Sequence, residues 1–532
     1  MKSVCIGQPK LPSTSRLFAD YLARFDSVAS FYAHPPTLDA VREAACEARL
    51  EPSHRAALVA ALAHQNTGGG AIEESLDRLA QPNTVAVVSG QQVGLFAGPL
   101  FTFYKALTAA KLAARLCDDG VSAVPVFWLA TEDHDLAEVD HTWVFDASGE
   151  PVRLQTNTNA GESQAVGSVE IEDAPIESLR AALSGFPHGA DVAGQVAAAW
   201  QTGQTLGGAF ARFLGELLAP YGVLLLDPTF PEVRSLAAPF LARAVENMPE
   251  LASNVVAQGK RLRDAGYHEQ VKVADSASCI FLTEDDRRIG LSRKDGRFTA
   301  GKRSWSAEEL IAENESTPGA LSPNALLRPV LQDFLLPTAA FVVGPAELAY
   351  LAQSAPLYEG LLGRMPVILP RASFTLLDAR GAKLLKRYEL TARDCWVPAA
   401  ELEQRIAQQL VPAELIADVD SARGQVAETL DGLAASLDAF DPSLREAFDR
   451  SRRKITYQLD KTRRKTEREA FRRDVRAQAE TAELGARLYP HRALQERFYC
   501  ALPFLAQRGP ELLDAIYEAV DPEAFCHQIL EI

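Results

Sequence analysis

Apolar residues along this chain change their spacing several times, and each change marks a boundary. Over residues 1–80, alanines and leucines recur at helical intervals, as in Leu38 to Arg49 and His54 to Gln65, which predicts a helical lead-in. The spacing then gives way to Thr84-Val-Ala-Val-Val-Ser89, a β-branched run ending at Gly90. After a turn, Pro99 to Leu116 reads as an apolar-periodic helix with proline in its first turn. Val124-Pro-Val-Phe-Trp-Leu-Ala130 is a second strand of buried type, stopped by the charged Thr131-Glu-Asp-His-Asp135. Two such strands joined by a helix make a βαβ unit, hence a parallel sheet. Similar strands at Gly222 to Asp227, Ala340 to Gly344 and Val367 to Leu369, near the helical segments Gln204 to Leu218 and Pro345 to Ser354, extend a doubly wound α/β core over residues 81–395. Within it, residues 146–175 and 270–320 alternate in a strand-like way between polar turns (Asp285-Asp286, Lys294-Asp-Gly296), which predicts small insertions decorating the sheet.

Residues 396–532 follow another pattern. Leu430, Leu433, Leu437 and Phe440 step by three and four, Asp441-Pro442 is placed to cap a new helix, and Leu444, Phe448, Ile455 and Leu459 continue the stripe. This predicts an antiparallel helical hairpin of coiled-coil type, followed by a tail punctuated by Pro490, Pro503, Pro510 and Pro522. A two-helix projection has little core of its own, so a homodimer through the hairpin is expected.

With 532 residues the chain is long enough for more than one core, and 47% hydrophobic with 23% charged residues is ordinary globular composition. A formal net charge of −16 argues against a surface built to coat nucleic acid or an anionic membrane. The basic run Arg450 to Arg473, eleven basic residues against three acidic, reads first as a solvated coiled-coil flank and second as a phosphate contact. No apolar run approaches the roughly 20 residues of a membrane helix, and the start lacks a secretory apolar stretch, so a cytoplasmic location is expected. Seven scattered cysteines without a CxxC pair predict reduced thiols, with neither a disulfide framework nor a zinc site.

In an open parallel sheet, ligands bind beyond the carboxyl ends of the strands, where helix N-termini present free N–H groups to anions. Two clusters fall there. Ser89-Gly90-Gln91-Gln92-Val93-Gly94 runs on through Gly98-Pro99 to Tyr104-Lys105, with glycines for close backbone approach and a lysine about two turns into the helix. It matches neither GxxxxGK[ST] nor GxGxxG, and a plain glycine turn accounts for it as well as an anion cradle does. Glu132-Asp133-His134-Asp135, leaving a buried strand, is costly unless it binds something or faces water. A general base, a Mg²⁺ shell for a nucleotide, and an amine clamp remain open readings, beside that of a solvated loop. A third segment sets Arg328 between prolines and Glu347 at a strand-to-helix turn, where ion pairing or capping is an equal alternative to ligand binding.

At these residues the sequence resembles the BshC family, the cysteine-adding enzymes of bacillithiol biosynthesis. The resemblance rests on SGQQVGLFAGPLFTFYKA (89–106), VPVFWLATEDHDLAEVDH (124–141), GYHEQV (266–271), SPNALLRPVLQD (322–333), GPAELAYLAQ (344–353) and LQERFYCALPFL (494–505). These blocks span nearly the whole chain in order. The resemblance implies a Rossmann-like core related to nucleotidyltransferases and class I aminoacyl-tRNA synthetases, with connecting insertions and a C-terminal coiled coil that pairs two subunits. It implies a ligase joining cysteine through its carboxyl to the amine of glucosaminyl-malate, with ATP or another nucleotide as the expected cofactor, and Mg²⁺ stays one open reading of the acidic cluster. The HxGH and KMSKS signatures are absent as such, with Gly98-Pro99 near the place of the first, so an adenylate step is not carried by matching residues. On this reading Asp133 or Asp135 holds the cysteine ammonium and His134 takes the proton of the sugar amine. Glu132, Gly90, Gln91, Gln92, Gly98, Pro99, Tyr104, Lys105, Arg328 and Glu347 bind substrate or nucleotide. The alternatives are a synthetase-like enzyme acting on another amino acid and a non-catalytic coiled-coil binding protein.

Overall fold

The computed structural model describes residues 3–12, 14–284 and 287–532. The expected Asp285-Asp286 turn lies outside these described residues. The chain forms two compact units. The larger comprises Met1–Ala147, Pro151–Thr375 and Glu496–Leu530, and the smaller comprises Ser148–Glu150, Leu376–Gln495 and Glu531–Ile532.

The larger unit is built on five parallel strands: β1 (Val85–Gln92), β2 (Ala123–Ala130), β3 (Leu224–Leu226), β4 (Thr338–Val343) and β5 (Val367–Pro370). Their order across the sheet is β5-β4-β1-β2-β3. This is the Rossmann order, in which connections leave β1 in opposite directions and open a crevice between the carboxyl ends of β1 and β4. Both faces of the sheet are covered, as the continuous apolar runs require. Ala86, Val88, Val124, Val126, Phe341 and Ile368 point into one core. Val85, Val87, Ala123, Val342, Val367 and Leu369 point into the other, against helix α1 (Phe101–Asp118) and the helix Leu38–Glu47. The first core is roofed by α2 (Pro231–Asp264), α3 (Arg328–Leu335) and α4 (Pro345–Leu361).

The alternating segment after α2 folds into a five-stranded antiparallel sheet of Ala277–Glu284, Arg287–Lys294, Arg297–Ala300, Arg303–Trp305 and Leu321–Pro323. Its Asp295-Gly296 turn has both residues at positive φ, the geometry of a tight two-residue hairpin. Ile280, Leu282, Leu291 and Phe298 anchor this sheet in the first core.

One expectation is corrected. Cys5 and Cys526 are disulfide-bonded, with Cα atoms 5.7 Å apart, rather than reduced. The strand Ser3–Gly7 pairs antiparallel with Cys526–Glu531, setting Gly7 opposite Cys526 and Cys5 opposite Gln528. The two thiols are therefore diagonal cross-strand neighbours. A separation of 521 residues leaves no spacing signal from which to read such a pair.

In the smaller unit, α5 (Ala413–Phe440) and α6 (Arg445–Arg473) form the hairpin, with the Asp441 side chain accepting from the Ser443 amide at the bend. Leu430 and Ala434 are buried, whereas Leu433, Phe440, Leu444 and Ile455 are exposed. The basic run is partly paired across the hairpin, through Arg452–Asp431 (2.7 Å) and Arg463–Asp420 (3.1 Å).

Candidate active site

The carboxyl ends of β1, β2, β4 and β5 surround a cavity of about 730 Å³, at the crevice the strand order creates. Gly90, Gln91 and Gln92 line it from β1, Glu132, Asp133, His134 and Glu138 from the loop after β2, Gly344 and Glu347 from the turn into α4, and Arg371 from beyond β5. Arg328 and Tyr350 enter from α3 and α4, Phe281, Arg288 and Pro323 from the antiparallel sheet, and Arg497 from the returning C-terminal segment.

Gly90 is a steric requirement. A Cβ there would lie 2.7 Å from the Trp128 carbonyl oxygen on the neighbouring strand, a backbone atom that cannot swing aside. Lys105, one helix face away, is buried and donates to the Gly90 carbonyl at 2.8 Å and to Gln91 Oε1 at 2.9 Å, while its Nζ lies 2.5 Å from Glu347 Oε2. Its three N–H donors are thus all taken within the protein. Burial pushes the Lys105 ammonium below its ordinary value, and the Glu347 charge works against that. Glu347 Oε2 also accepts from the Gly344 amide at 2.8 Å, tying the end of β4 to α1.

The loop after β2 supplies carboxylates to the same cavity, with Arg288 among them. Gln92 Nε2 donates to Asp133 Oδ2 at 2.6 Å and to Glu138 Oε2 at 2.9 Å. Asp133 Oδ1 accepts from the His134 amide at 2.7 Å, a local turn that aims its other oxygen at Gln92. The His134 ring is exposed, its Nδ1 3.9 Å from Asp133 Oδ1 and its centroid 5.6 Å from that of Phe281. Glu132 is half-buried. Its backbone carbonyl accepts from Arg288, whereas its carboxylate makes no hydrogen bond among the described residues, and burial pushes its pKa up.

The cationic wall holds Arg328, Arg371 and Arg497 beside Lys105. Arg328 donates to the Tyr350 hydroxyl at 2.9 Å and to Gln332 Oε1 at 3.2 Å. Arg371 is held by buried Glu496. Arg497 makes no hydrogen bond or ion pair among the described residues and lies 5.8 Å from the Phe101 ring centroid. Arg497 is exposed at the cavity, and partial loss of solvation with the nearby Arg371 charge pushes its pKa down. Such a cation gains by meeting an anion.

The sequence-read residues therefore divide. Gly90, Gln91, Gln92, Lys105, Glu132, Asp133, His134, Arg328 and Glu347 line one cavity. Asp135 is exposed and off the lining, at the start of the short helix Leu136–Val139. Tyr104 is fully buried with its ring against Phe374, centroids 5.0 Å apart. Gly98, at φ +67°, and Pro99 belong to a tight turn in which Phe96 and Ala97 also have positive φ, and Pro99 bridges to Cys500. Arg288, Tyr350, Arg371 and Arg497 escaped the sequence reading, being single residues in ordinary local context. Arg497 lies within the LQERFYCALPFL block, the nearest thing to a signal for it.

The side chains fit an anionic group, phosphate or carboxylate alike, at the arginine wall. Among the described residues no three His, Cys, Asp or Glu side chains converge as a metal-holding group. No helix in the described residues is long and apolar enough to cross a membrane.

Comparison with known proteins gives the family. Residues 1–372 match the family described as "Bacillithiol biosynthesis BshC, N-terminal Rossmann-like domain", and residues 374–532 its "C-terminal coiled-coil domain". The chain is 47% identical over 533 residues to a protein of Solibacter usitatus, covering 100% of both chains. It is 37% identical over 536 residues to one of Koribacter versatilis, with 99% of each covered, and 28% identical over 510 residues to one of Bacillus cereus, with 94% and 95% covered. All three carry the name "Putative cysteine ligase BshC".

Proposed function

The chain belongs to the BshC family, enzymes of ligase type in bacillithiol biosynthesis, and we propose that it joins the carboxyl of cysteine to the amine of glucosaminyl-malate. The observation that carries this reading is that one cavity is lined both by arginines, Arg288, Arg328, Arg371 and Arg497, and by carboxylates, Glu132, Asp133, Glu138 and Glu347. A substrate with malate carboxylates at one end and an amine at the other is complementary to such a cavity, as is an amino acid bearing an ammonium group.

On this reading the malate carboxylates lie against Arg497, Arg371 and Arg328. Asp133 and Glu132 hold the cysteine ammonium, a role Asp135 is too far out to share. The sugar amine attacks the cysteine carboxyl carbon, a C–N bond forms, and the nitrogen gives up a proton. His134 takes that proton on this reading, its Nδ1 3.9 Å from Asp133 Oδ1. A carboxylate does not lose oxygen unaided, so a nucleoside triphosphate is proposed as the co-substrate that turns that oxygen into a phosphate-bearing leaving group. The arginine wall suits its anionic part as well. Lys105, saturated by its own partners, shapes the β1 and β4 ends instead of reaching for substrate.

The test is direct. The pure protein is incubated with cysteine, glucosaminyl-malate and ATP, with each component omitted in turn, and the products are weighed. The expected product has the summed mass of the two substrates less one water, and it disappears when any component is withheld. No product with cysteine under any nucleoside triphosphate, or a product with another amino acid instead, overturns the reading.

A further inference from the structure

The C-terminal segment returns to the larger unit and places a buried carboxylate behind the arginine wall. Arg371 and Glu496 are 5% and 2% exposed, and they pair through Nη2 to Oε1 at 2.7 Å and Nη1 to Oε2 at 3.0 Å. The second Nη1 proton goes to the Ala372 carbonyl at 2.8 Å. A guanidinium carries five N–H groups in two forks. Glu496 occupies the end fork. The side fork, Nε–H with the remaining Nη2–H, has no partner among the described residues on a side chain that lines the cavity.

Glu496 is itself fixed by two further donors. Its carboxylate accepts from Ser373 Oγ at 3.0 Å and from the Phe374 amide at 3.0 Å. Ser373 Oγ meets His527 Nδ1 at 2.7 Å, and Thr375 Oγ1 meets His527 Nε2 at 2.8 Å. The proton directions follow from the chemistry. An ionised carboxylate only accepts, so Ser373 spends its one hydroxyl proton on Glu496 and must accept from Nδ1–H of His527. Burial pushes His527 down to about 4, which leaves the ring neutral, so its Nε2 accepts from Thr375. A chain of hydrogen bonds thus runs from Thr375 through His527 and Ser373 to Glu496 and Arg371, each donor with a defined acceptor.

We propose that Glu496 is a positioning residue: braced by Ser373 and His527, it locks Arg371 so that the Nε–Nη2 fork faces the cavity and receives the substrate's anionic group. The identity of that group as malate rests on the ligase reading above. The lock removes the rotamer freedom that a long side chain otherwise loses on binding.

Binding of L-malate to the intact protein, measured by calorimetry, tests this alongside the Michaelis constants of both substrates. Glu496→Gln sets an amide N–H₂ against the guanidinium and is expected to weaken malate binding roughly tenfold or more. The Michaelis constant of glucosaminyl-malate should rise in step, while that of cysteine stays unchanged. Ser373→Ala, which keeps the Arg371–Glu496 pair and removes only its brace, should weaken malate a few-fold and decides the matter should Glu496→Gln fail to fold. Phenylglyoxal labelling read peptide by peptide should find Arg371 protected in the wild type and exposed in Glu496→Gln, with Arg497 labelled in both. Unchanged malate affinity in folded Glu496→Gln, or in Ser373→Ala where that variant decides, overturns the proposal, as does an equal change for both substrates. A wild-type protein that does not bind malate also overturns it. One that binds malate and makes no product overturns the ligase reading alone.

Discussion

Replacing Lys105 with methionine removes a charge whose surroundings were built for it. The ammonium is 3% exposed and Glu347 17%, with 2.5 Å between Nζ and Oε2, and the Gly90 carbonyl and Gln91 Oε1 complete its shell. The variant leaves Glu347 without its counter-ion in a low-dielectric site and strips two acceptors of their donor. Breaking one side of a buried ion pair costs about 3–5 kcal/mol. Removing both charges together is far milder, since the desolvation of each no longer needs offsetting. Lys105→Met should therefore lower the unfolding free energy of the larger unit by about 4 kcal/mol, and Lys105→Met combined with Glu347→Leu should recover at least half of that loss. Urea unfolding, followed by tryptophan fluorescence and circular dichroism together, measures the four corners of the cycle. Agreement of the two probes shows whether the larger unit melts in one step. Should Lys105→Met cost under about 1 kcal/mol, or should the two substitutions simply add, the pair is not the buried lock described here.

Three other outcomes are expected. His134→Ala, in an exposed loop, should leave the melting curve unchanged and lower turnover by roughly 10²- to 10⁴-fold, and near-normal turnover in stopped assays would rule His134 out as the base. Glu132 has its pKa raised by burial, so cysteine binding should weaken as pH falls through a value above the ordinary carboxylate range. Glu132→Gln should abolish that acid limb, and a limb that survives the substitution belongs to another group. For stability the sign is opposite: a carboxyl raised in the folded state favours folding most below its unfolded pKa, and that contribution is lost as pH rises through the folded value. The exposed Leu433, Phe440 and Ile455 on the hairpin should be covered by a second copy, giving a dimer by light scattering at micromolar concentration that Phe440→Asp weakens. A monomeric wild type refutes this.

The local elements are written in the spacing of apolar residues along the chain. β-branched runs at residues 84–89 and 124–130 are strands because a strand buried on both faces must be apolar at every position, and the apolar residues stepped by three and four along α5 and α6 are helical because a 3.6-residue turn sets them on one face. The ordered blocks carried the family, and the end of the second strand put Glu132, Asp133 and His134 at the carboxyl edge of the sheet, where they line the cavity. Only the tertiary structure decided which charges meet. Arg371, Glu496 and His527 come from segments more than 120 residues apart or from the last strand, and nothing in their spacing announces that they share one hydrogen-bonded chain. The same holds for Cys5 and Cys526, neighbours through strand pairing alone. Tertiary structure also separated residues that the sequence had grouped. Asp135 follows His134 directly yet turns to solvent, Tyr104 precedes Lys105 yet packs into the core, and Lys105 itself is saturated by partners from β1 and α4. The physical reason is one of range. Periodicity and propensity act over a few residues and so are written locally, whereas burial and ion pairing depend on whatever the folded chain brings within a few ångströms.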